Sequence, residues 1–195
     1  NGLLFAASNG LITAEEVARR TISFSVGQNP VVMVDSYLTN LSAYGIPSYR
    51  QATKADLLVL TSQTIIGTAV DGNPTLVNGA SVPLADKWVL TDSEVNEVKI
   101  ATDAYNNTIV EVAAKYDLAF IDTKKIMTQL STSGIRFGNY QMTAAYATGG
   151  AFSLDGVHPS ERGYALIANL FIDGINTKYG STLRQVDLAK YQIQY

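Results

Sequence analysis

The sequence of 195 residues contains no cysteine and a single histidine. Without cysteine the chain forms no disulfide bridge and no thiolate metal site, although this absence does not identify a cellular compartment. One histidine and no cysteine also fall short of a typical zinc-binding set. A metal site built on that histidine is therefore the weakest functional interpretation, and we predict neither a metal nor another cofactor.

Charge and long apolar runs are scarce as well. Charged residues make up 16% of the chain, and its 14 basic and 17 acidic residues leave a net charge of -3. No cluster of Lys and Arg follows the spacing of a phosphate backbone, so nucleic acid is not a predicted partner. No run of about 18 apolar residues indicates a transmembrane segment. The apolar run at 3–7 is too short for a signal peptide and lacks a preceding positive charge.

The content and order of apolar segments predict one α/β domain over residues 1–195. The hydrophobic fraction of 47% suffices to fill one core. Capping boxes at Thr13–Glu16 and Thr91–Glu94 mark helices that should end near Gly27 and Tyr116. Short apolar runs predict buried strands in a sheet covered on both faces; they lie at 31–35, 57–61 and 118–122. A short helix near 126–130, a hairpin within 135–146 and a last helix from Pro159 to Tyr179 follow.

Glycine, proline and asparagine are concentrated at 67–86, which is predicted to be the longest loop. Residues 181–195 form a predicted C-terminal tail, in which Tyr191 and Tyr195 should hold the tail on the body of the protein. Tyr105 and Tyr164 fall on helix stripes that we expect to be buried. Core packing therefore accounts for these tyrosines better than a sugar-binding face does.

The single histidine belongs to the sequence Asp155-Gly156-Val157-His158. A carboxylate three residues before an imidazole can fix the tautomer of the ring and stabilise the imidazolium that forms during proton transfer. The other interpretation is a histidine that only packs or caps. Gly156 and Pro159 favour a loop that leads into a helix, which is where a ligand site lies in an open α/β sheet. Asp35 and Asp122 follow apolar runs and could reach the same edge, or they cap helices and turns.

From Phe152 to Tyr164 the chain resembles the SGNH, or GDSL-type, family of serine esterases and lipases. The segments 83–91 and 118–122 look like the C-terminal region of large secreted bacterial members. The resemblance implies a flavodoxin-like three-layer α/β fold and a secreted, periplasmic or cell-surface location. It also implies a Ser-His-Asp triad in which His158 is the general base and Asp155 orients it.

The family's other blocks are absent from this sequence. There is no Gly-Asp-Ser-Leu block to supply the nucleophile and no Gly-x-Asn-Asp block for the oxyanion hole. Ser81 lacks the Gly-x-Ser-x-Gly pattern, and Ser153 is too close to His158 along the chain to be an easy partner. Because these blocks precede the Asp-x-x-His block in the family, we expect a C-terminal part of a longer protein, with an incomplete parallel sheet.

Two functional classes stay open. The first is the C-terminal part of an ester hydrolase, whose serine lies outside this sequence and whose substrate is an ester of unknown type. Its expected partner is the missing N-terminal part of the same protein or a second copy of the chain, which would cover the incomplete sheet. The second class is a noncatalytic cell-surface binding or interaction module that has kept an SGNH-like fold.

Overall fold

The structure is a computed structural model that describes residues 2–192. The chain is a mixed α/β protein. Its residues divide into two compact units, 1–105 and 106–195. The strands within the described residues form four separate two-stranded antiparallel ladders. Parallel pairing among these residues is limited to isolated bridges such as Met33–Leu84, so they do not contain the parallel sheet that the sequence analysis expects.

The first unit opens with two short helices, α1 (Gly2–Ser8) and α2 (Ala14–Arg20). The hydroxyl oxygen of Thr13 accepts a hydrogen bond from the Glu16 amide at 3.1 Å, which confirms the predicted helix start. The predicted end near Gly27 is wrong. The backbone of Thr21 is extended, and the β-branched and serine residues from Thr21 to Ser25 have low helix propensity.

The strand expected at 31–35 is present as β1 (Val32–Val34), which pairs in antiparallel register with β2 (Tyr49–Gln51). On its other edge β1 meets Leu84, whose amide donates to the Val32 carbonyl at 2.9 Å. Met33 is fully buried there and packs with Leu84 and Val89. The first unit therefore has a small core around β1.

The run at 57–61 is not the buried strand that the sequence predicts. Only β3 (Leu57–Leu58) is a strand, and a 3₁₀ turn follows at Leu60–Thr64. The side chains of Leu57 to Leu60 are 41 to 54% exposed. An apolar run is buried only where other elements cover it, and the described residues leave about half of each of these side chains exposed.

The segment 67–86, expected to be a loop, contains a hairpin of β4 (Ala69–Val70) and β5 (Asn73–Val77). Its two turn residues, Asp71 and Gly72, have φ values of 49° and 74°. An Asp-Gly pair with two positive φ angles is typical of a type I′ hairpin turn. After this hairpin, β6 (Val89–Leu90) pairs with β3.

Arg50 is the centre of a buried ion cluster in the first unit. Its guanidinium donates to both carboxylate oxygens of Asp56 at 2.7 and 2.6 Å and to Asp35 at 2.5 Å. Asp92 accepts from Arg50 at 3.2 Å and from Arg19 at 3.0 Å. Burial opposes ionisation of Asp56, yet the bonds from Arg50 hold the pKa of this carboxyl well below its usual range. The cluster joins α2, β2 and the start of the next helix.

That next helix, α3 (Asp92–Lys115), begins at the predicted capping box. The Thr91 amide donates to the Glu94 carboxylate at 2.7 Å, and the Glu94 amide donates to the Thr91 hydroxyl at 3.3 Å. The expected burial of its apolar stripe is wrong. Most of its large members are more than two-fifths exposed: Val98, Tyr105, Ile109 and Val112.

The second unit packs around α5 (Glu161–Tyr179), which follows α4 (Thr123–Thr132) and the hairpin of β7 (Ile135–Phe137) and β8 (Tyr140–Met142). This hairpin and both helices confirm the sequence predictions for this region. The predicted strand at 118–122 is wrong, because these residues form no ladder with any strand of the described chain. The core residues come from all these elements: Leu130, Ile135, Met142, Ala151, Ala165, Leu166 and Leu188.

The tail packs on the second unit as far as the structure describes it. Leu188 is buried in the core, and Tyr191 packs against the same cluster. The Arg162 guanidinium donates to the Tyr191 carbonyl at 3.1 Å and lies over the Tyr140 ring. The expected role of Tyr191 is thereby confirmed, whereas Tyr195 lies outside the described residues. Tyr164 is 55% exposed, so its expected burial is wrong.

Replacing Arg50 by Ala should lower the free energy of unfolding by about 3–5 kcal/mol, because Asp35 and Asp56 would stay buried without their counter-ion. Arg136 is exposed and donates only to the nearby Gly138 carbonyl, so Arg136→Ala is the matched control and should cost less than about 1 kcal/mol. Urea unfolding followed by circular dichroism measures the free energy of unfolding of each variant. Equal losses for the two variants would contradict a stabilising role for the cluster.

Candidate functional site

Asp155 and His158 lie in a loop that closes on itself. An antiparallel bridge between Phe152 and Pro159 forms its base. Inside the loop, the Ser153 amide donates to the His158 carbonyl at 2.8 Å, and the Gly156 amide donates to the Ser153 carbonyl at 3.1 Å. Gly156 has a φ of 72°, a conformation that favours glycine. The turn between Asp155 and His158 is therefore specified locally.

The loop is attached to the first turn of α5 through Ser160 and Gly163. The Ser160 hydroxyl donates to the Gly150 carbonyl at 2.6 Å and accepts from the Gly163 amide at 2.9 Å, which caps the helix. A Cβ atom at Gly163 would lie 2.2 Å from the Ala151 carbonyl oxygen. Only glycine at this position allows the helix to come so close to the backbone before the loop.

The predicted contact between Asp155 and His158 is confirmed. Oδ2 of Asp155 lies 2.6 Å from Nδ1 of His158. The His158 side chain is 70% exposed, and its Nε2 has no hydrogen-bond partner among residues 2–192. A histidine that only packs in the core would be buried with both nitrogens satisfied, so the geometry contradicts that interpretation.

The second carboxylate oxygen of Asp155 accepts three further hydrogen bonds. The donors to Oδ1 are the Ser153 hydroxyl at 2.7 Å and the amides of Val157 and His158 at 2.8 and 2.9 Å. The Ser153 hydroxyl, followed by the Val157 amide and the His158 ring, holds the pKa of the Asp155 carboxyl well below its usual range. Asp155 is therefore an anion at neutral pH and only accepts hydrogen bonds.

This arrangement determines what the imidazole can do. Because the ionised Asp155 carboxylate has no proton to donate, Nδ1 of a neutral His158 ring must carry the proton of the 2.6 Å hydrogen bond. Nε2 is then left with a free lone pair on an exposed ring. A base of this kind can accept a proton from a hydroxyl group, and the nearby anion stabilises the imidazolium that results.

The other candidate residues have different partners. Asp35 belongs to the ion cluster around Arg50, and Asp122 caps α4 by accepting from the Lys125 amide at 2.9 Å. The Ser81 hydroxyl donates to the Thr75 carbonyl at 2.7 Å and accepts from the Val77 amide at 2.8 Å. Ser81 is therefore engaged in its own turn. The described bonds of these three residues do not involve the Asp155–His158 pair.

Two contributors to the site do not follow from the sequence analysis. Ser153 bonds Asp155, and the Tyr146 hydroxyl donates to the Leu154 carbonyl at the tip of the loop at 2.8 Å. The sequence does indicate the Ser153–Asp155 contact, because a serine two residues before an aspartate often forms a hydrogen bond within such a turn. The Tyr146 contact depends on tertiary placement, for which the sequence carries no local signal.

Within 2–192, no group of three or more Asp, Glu or His side chains is placed to hold a metal ion. None of the helices described is both long and apolar enough to cross a membrane.

Comparison with family models, curated proteins and solved structures gives no match to this chain. The family resemblance therefore stays a prediction that depends on the residues around Asp155 and His158.

Gly163→Ala should displace the loop, because the added methyl group would collide with the Ala151 carbonyl; we expect a loss of about 1–3 kcal/mol in unfolding free energy. Gly174→Ala in the same helix is the control: its methyl group would lie 2.8 Å from a side-chain atom of Ile121, so it would displace that side chain and not the backbone before the loop. The ring resonances of His158, the single histidine, report on the loop. Their chemical shifts should change in Gly163→Ala and stay the same in Gly174→Ala. Identical spectra for the two variants would refute this role of Gly163.

Proposed function

We propose that residues 1–195 are the C-terminal part of an ester hydrolase, in which His158 is the general base and Asp155 orients it. The observation that carries this proposal is the 2.6 Å bond between Asp155 and Nδ1 of an exposed His158 ring. The resemblance of residues 152–164 to SGNH-type esterases supports the same assignment. That resemblance also makes a secreted, periplasmic or cell-surface location part of the proposal.

The proposed reaction is acyl transfer through a serine. The serine oxygen attacks the ester carbonyl carbon while Nε2 of His158 takes the hydroxyl proton. Asp155 stabilises the imidazolium, which then gives the proton to the departing alcohol. In the second half, water attacks the acyl-serine, its proton passes to Nε2, and the carboxylic acid leaves as the serine regains its proton. Each half returns His158 to its neutral form.

The serine belongs to a polypeptide outside residues 1–195 in this proposal. The sequence has no Gly-Asp-Ser-Leu block. Ser81 and Ser153 do not replace that nucleophile. The Ser81 hydroxyl donates to the Thr75 carbonyl, and the Ser153 hydroxyl donates to Asp155. The same polypeptide would supply the oxyanion hole.

An uncovered surface in the second unit is where we propose that this polypeptide packs. Leu118 to Ile121 form a segment without regular secondary structure beside α5; the Ala119 amide donates to the Tyr179 hydroxyl at 3.0 Å. The amides of Phe120 and Ile121 have no partner in the described part of the chain. An apolar surface cavity of about 360 Å³ adjoins the segment and is lined by Ile109, Val112, Leu118, Phe120 and Phe171 among others. Unpaired amides beside apolar side chains fit a β-strand as the occupant.

The exposed area of the chain supports a large covering partner. The accessible surface is 12702 Å² for 21.0 kDa. A folded monomer of this mass exposes about 9,000 Å², and two separate domains of half the mass about 11,000 Å². Even relative to two separate domains, the additional exposed area is larger than the roughly 800 Å² that a standard interface buries on one partner. We therefore favour the remaining part of the same protein as the partner that covers this surface.

A noncatalytic binding module is the second candidate. Its support is the same missing nucleophile together with the exposed apolar surface. In this case the Asp155–His158 loop would be a structural turn, and the substitution of His158 would not affect the function of the protein.

The hydrolase proposal is tested with the gene product extended through the coding sequence before Asn1. The extended protein should hydrolyse short p-nitrophenyl esters and react with a fluorophosphonate probe at a serine outside residues 1–195. His158→Ala should lower kcat at least about 10³-fold, because the serine loses its base. Residues 1–195 alone should hydrolyse no faster than their own His158→Ala variant. Labelling of a serine inside residues 1–195 would show that the nucleophile lies within this chain and would contradict the proposal. A folded but inactive extended protein would favour the binding module.

The covering of the 118–121 segment is tested by hydrogen exchange. In residues 1–195 alone, the amides of Phe120 and Ile121 should exchange quickly; in the extended protein they should be protected more than about 10³-fold. Phe120→Lys should destabilise the extended protein, whereas Met127→Lys should have little effect, although the two side chains are 42 and 40% exposed. Fast exchange in both proteins would refute the proposal. A particle of twice 21.0 kDa for residues 1–195 alone, with these amides protected, would identify a second copy as the partner instead.

A further inference from the structure

Ser153 is bonded to both members of the Asp155–His158 pair. Its hydroxyl donates to Oδ1 of Asp155 at 2.7 Å, and its amide donates to the His158 carbonyl at 2.8 Å. Its own carbonyl accepts from the Gly156 amide at 3.1 Å. All three polar groups of this residue are thus directed into the loop that carries the pair.

The bonds of Asp155 show what the hydroxyl adds. The amides of Val157 and His158 approach Oδ1 from the end of the loop, whereas the Ser153 hydroxyl comes from its beginning. Three donors on one oxygen oppose rotation of the carboxylate about its Cβ–Cγ bond. With Oδ1 held by three donors, Oδ2 is the oxygen directed to Nδ1 of His158. Without the hydroxyl, Oδ1 would keep only the two amide donors, both from residues that follow Asp155.

We propose that Ser153 is a positioning residue that keeps the Asp155 carboxylate directed at Nδ1 of His158. Its catalytic significance rests on the proposed hydrolase function, since only then does the orientation of the imidazole affect a rate. Ser153 itself is not a nucleophile in this proposal. Its hydroxyl proton is donated to Asp155, and no described bond joins the hydroxyl to the His158 ring.

A purely structural role would have a different signature. If the hydroxyl only closed the turn, its loss would lower the stability of the loop without changing which ring nitrogen carries the proton. If it positions Asp155, its loss lets the carboxylate rotate, and Nδ1 loses its constant partner. The neutral ring would then become a mixture of its two tautomers. The tautomer of His158 is therefore the readout that separates the two roles.

The experiment is ¹⁵N nuclear magnetic resonance on residues 1–195, in which the single histidine makes the ring signals unambiguous. The unsubstituted chain should show the Nδ1–H tautomer and a low-field Nδ1–H proton. Ser153→Ala should lose the low-field signal and give mixed tautomers, whereas Ser153→Thr keeps the hydroxyl and should restore both features. Ser131→Ala is the control, because the Ser131 hydroxyl donates only to the Thr128 carbonyl within α4. An unchanged tautomer in Ser153→Ala would overturn the proposal.

Kinetics on the extended protein add a second readout. Ser153→Ala should lower kcat about 10- to 100-fold at nearly constant KM, the cost of one hydrogen bond to a charged group. If Ser153→Ala fails to fold, Ser153→Cys retains a weaker donor and should give an intermediate tautomer mixture; a cysteine variant identical to the unsubstituted chain would then overturn the proposal. A tautomer change without esterase activity in any variant would leave the positioning role intact and refute the hydrolase.

Discussion

The close approach of α5 to the backbone at Ala151 is the constraint on which the candidate site depends. Ser160 caps the helix and bonds the Gly150 carbonyl, while Gly163 leaves no side chain between the helix and Ala151. The loop that carries Asp155 and His158 is held between these contacts and its own bridge from Phe152 to Pro159. The position of the imidazole therefore follows from a helix start, and helix starts are among the most local signals in a protein sequence.

Locality also explains which predictions hold. The helix starts at Thr13 and Thr91, the hairpin around Gly138 and the Asp155–His158 contact each depend on residues that are close along the chain. Their side chains and turn geometry specify them without help from distant segments. The ion cluster around Arg50 is different. It joins residues separated by up to 73 positions, from Arg19 to Asp92, and no local pattern indicates such a set.

The predictions that fail concern burial. The runs at 57–61 and 118–122 and the stripe on α3 are as apolar as buried elements, yet most of their side chains are exposed in this chain. Hydrophobic periodicity indicates which side of an element avoids water, but it does not reveal which polypeptide covers that side. The segment at 118–121 has the composition of a sheet strand but pairs with no strand among the described residues. A parallel sheet depends on partner strands, and the apolar runs of this sequence do not specify them; of the three predicted buried strands only the one at 31–35 is present.

The bonds inside the Asp155–His158 loop lie between Phe152 and Pro159, and those that attach the loop to its surroundings come from nearby residues such as Tyr146 and Ser160. Closing a loop this short restricts little chain entropy, and its contacts contribute almost nothing to the contact order of the protein. The geometry around the imidazole can consequently form early in folding and persist when distant parts of the polypeptide are absent. In the proposed hydrolase, a general base organised in this way would be ready before assembly, so that association with the partner would have to align two finished surfaces and would not have to order the base itself.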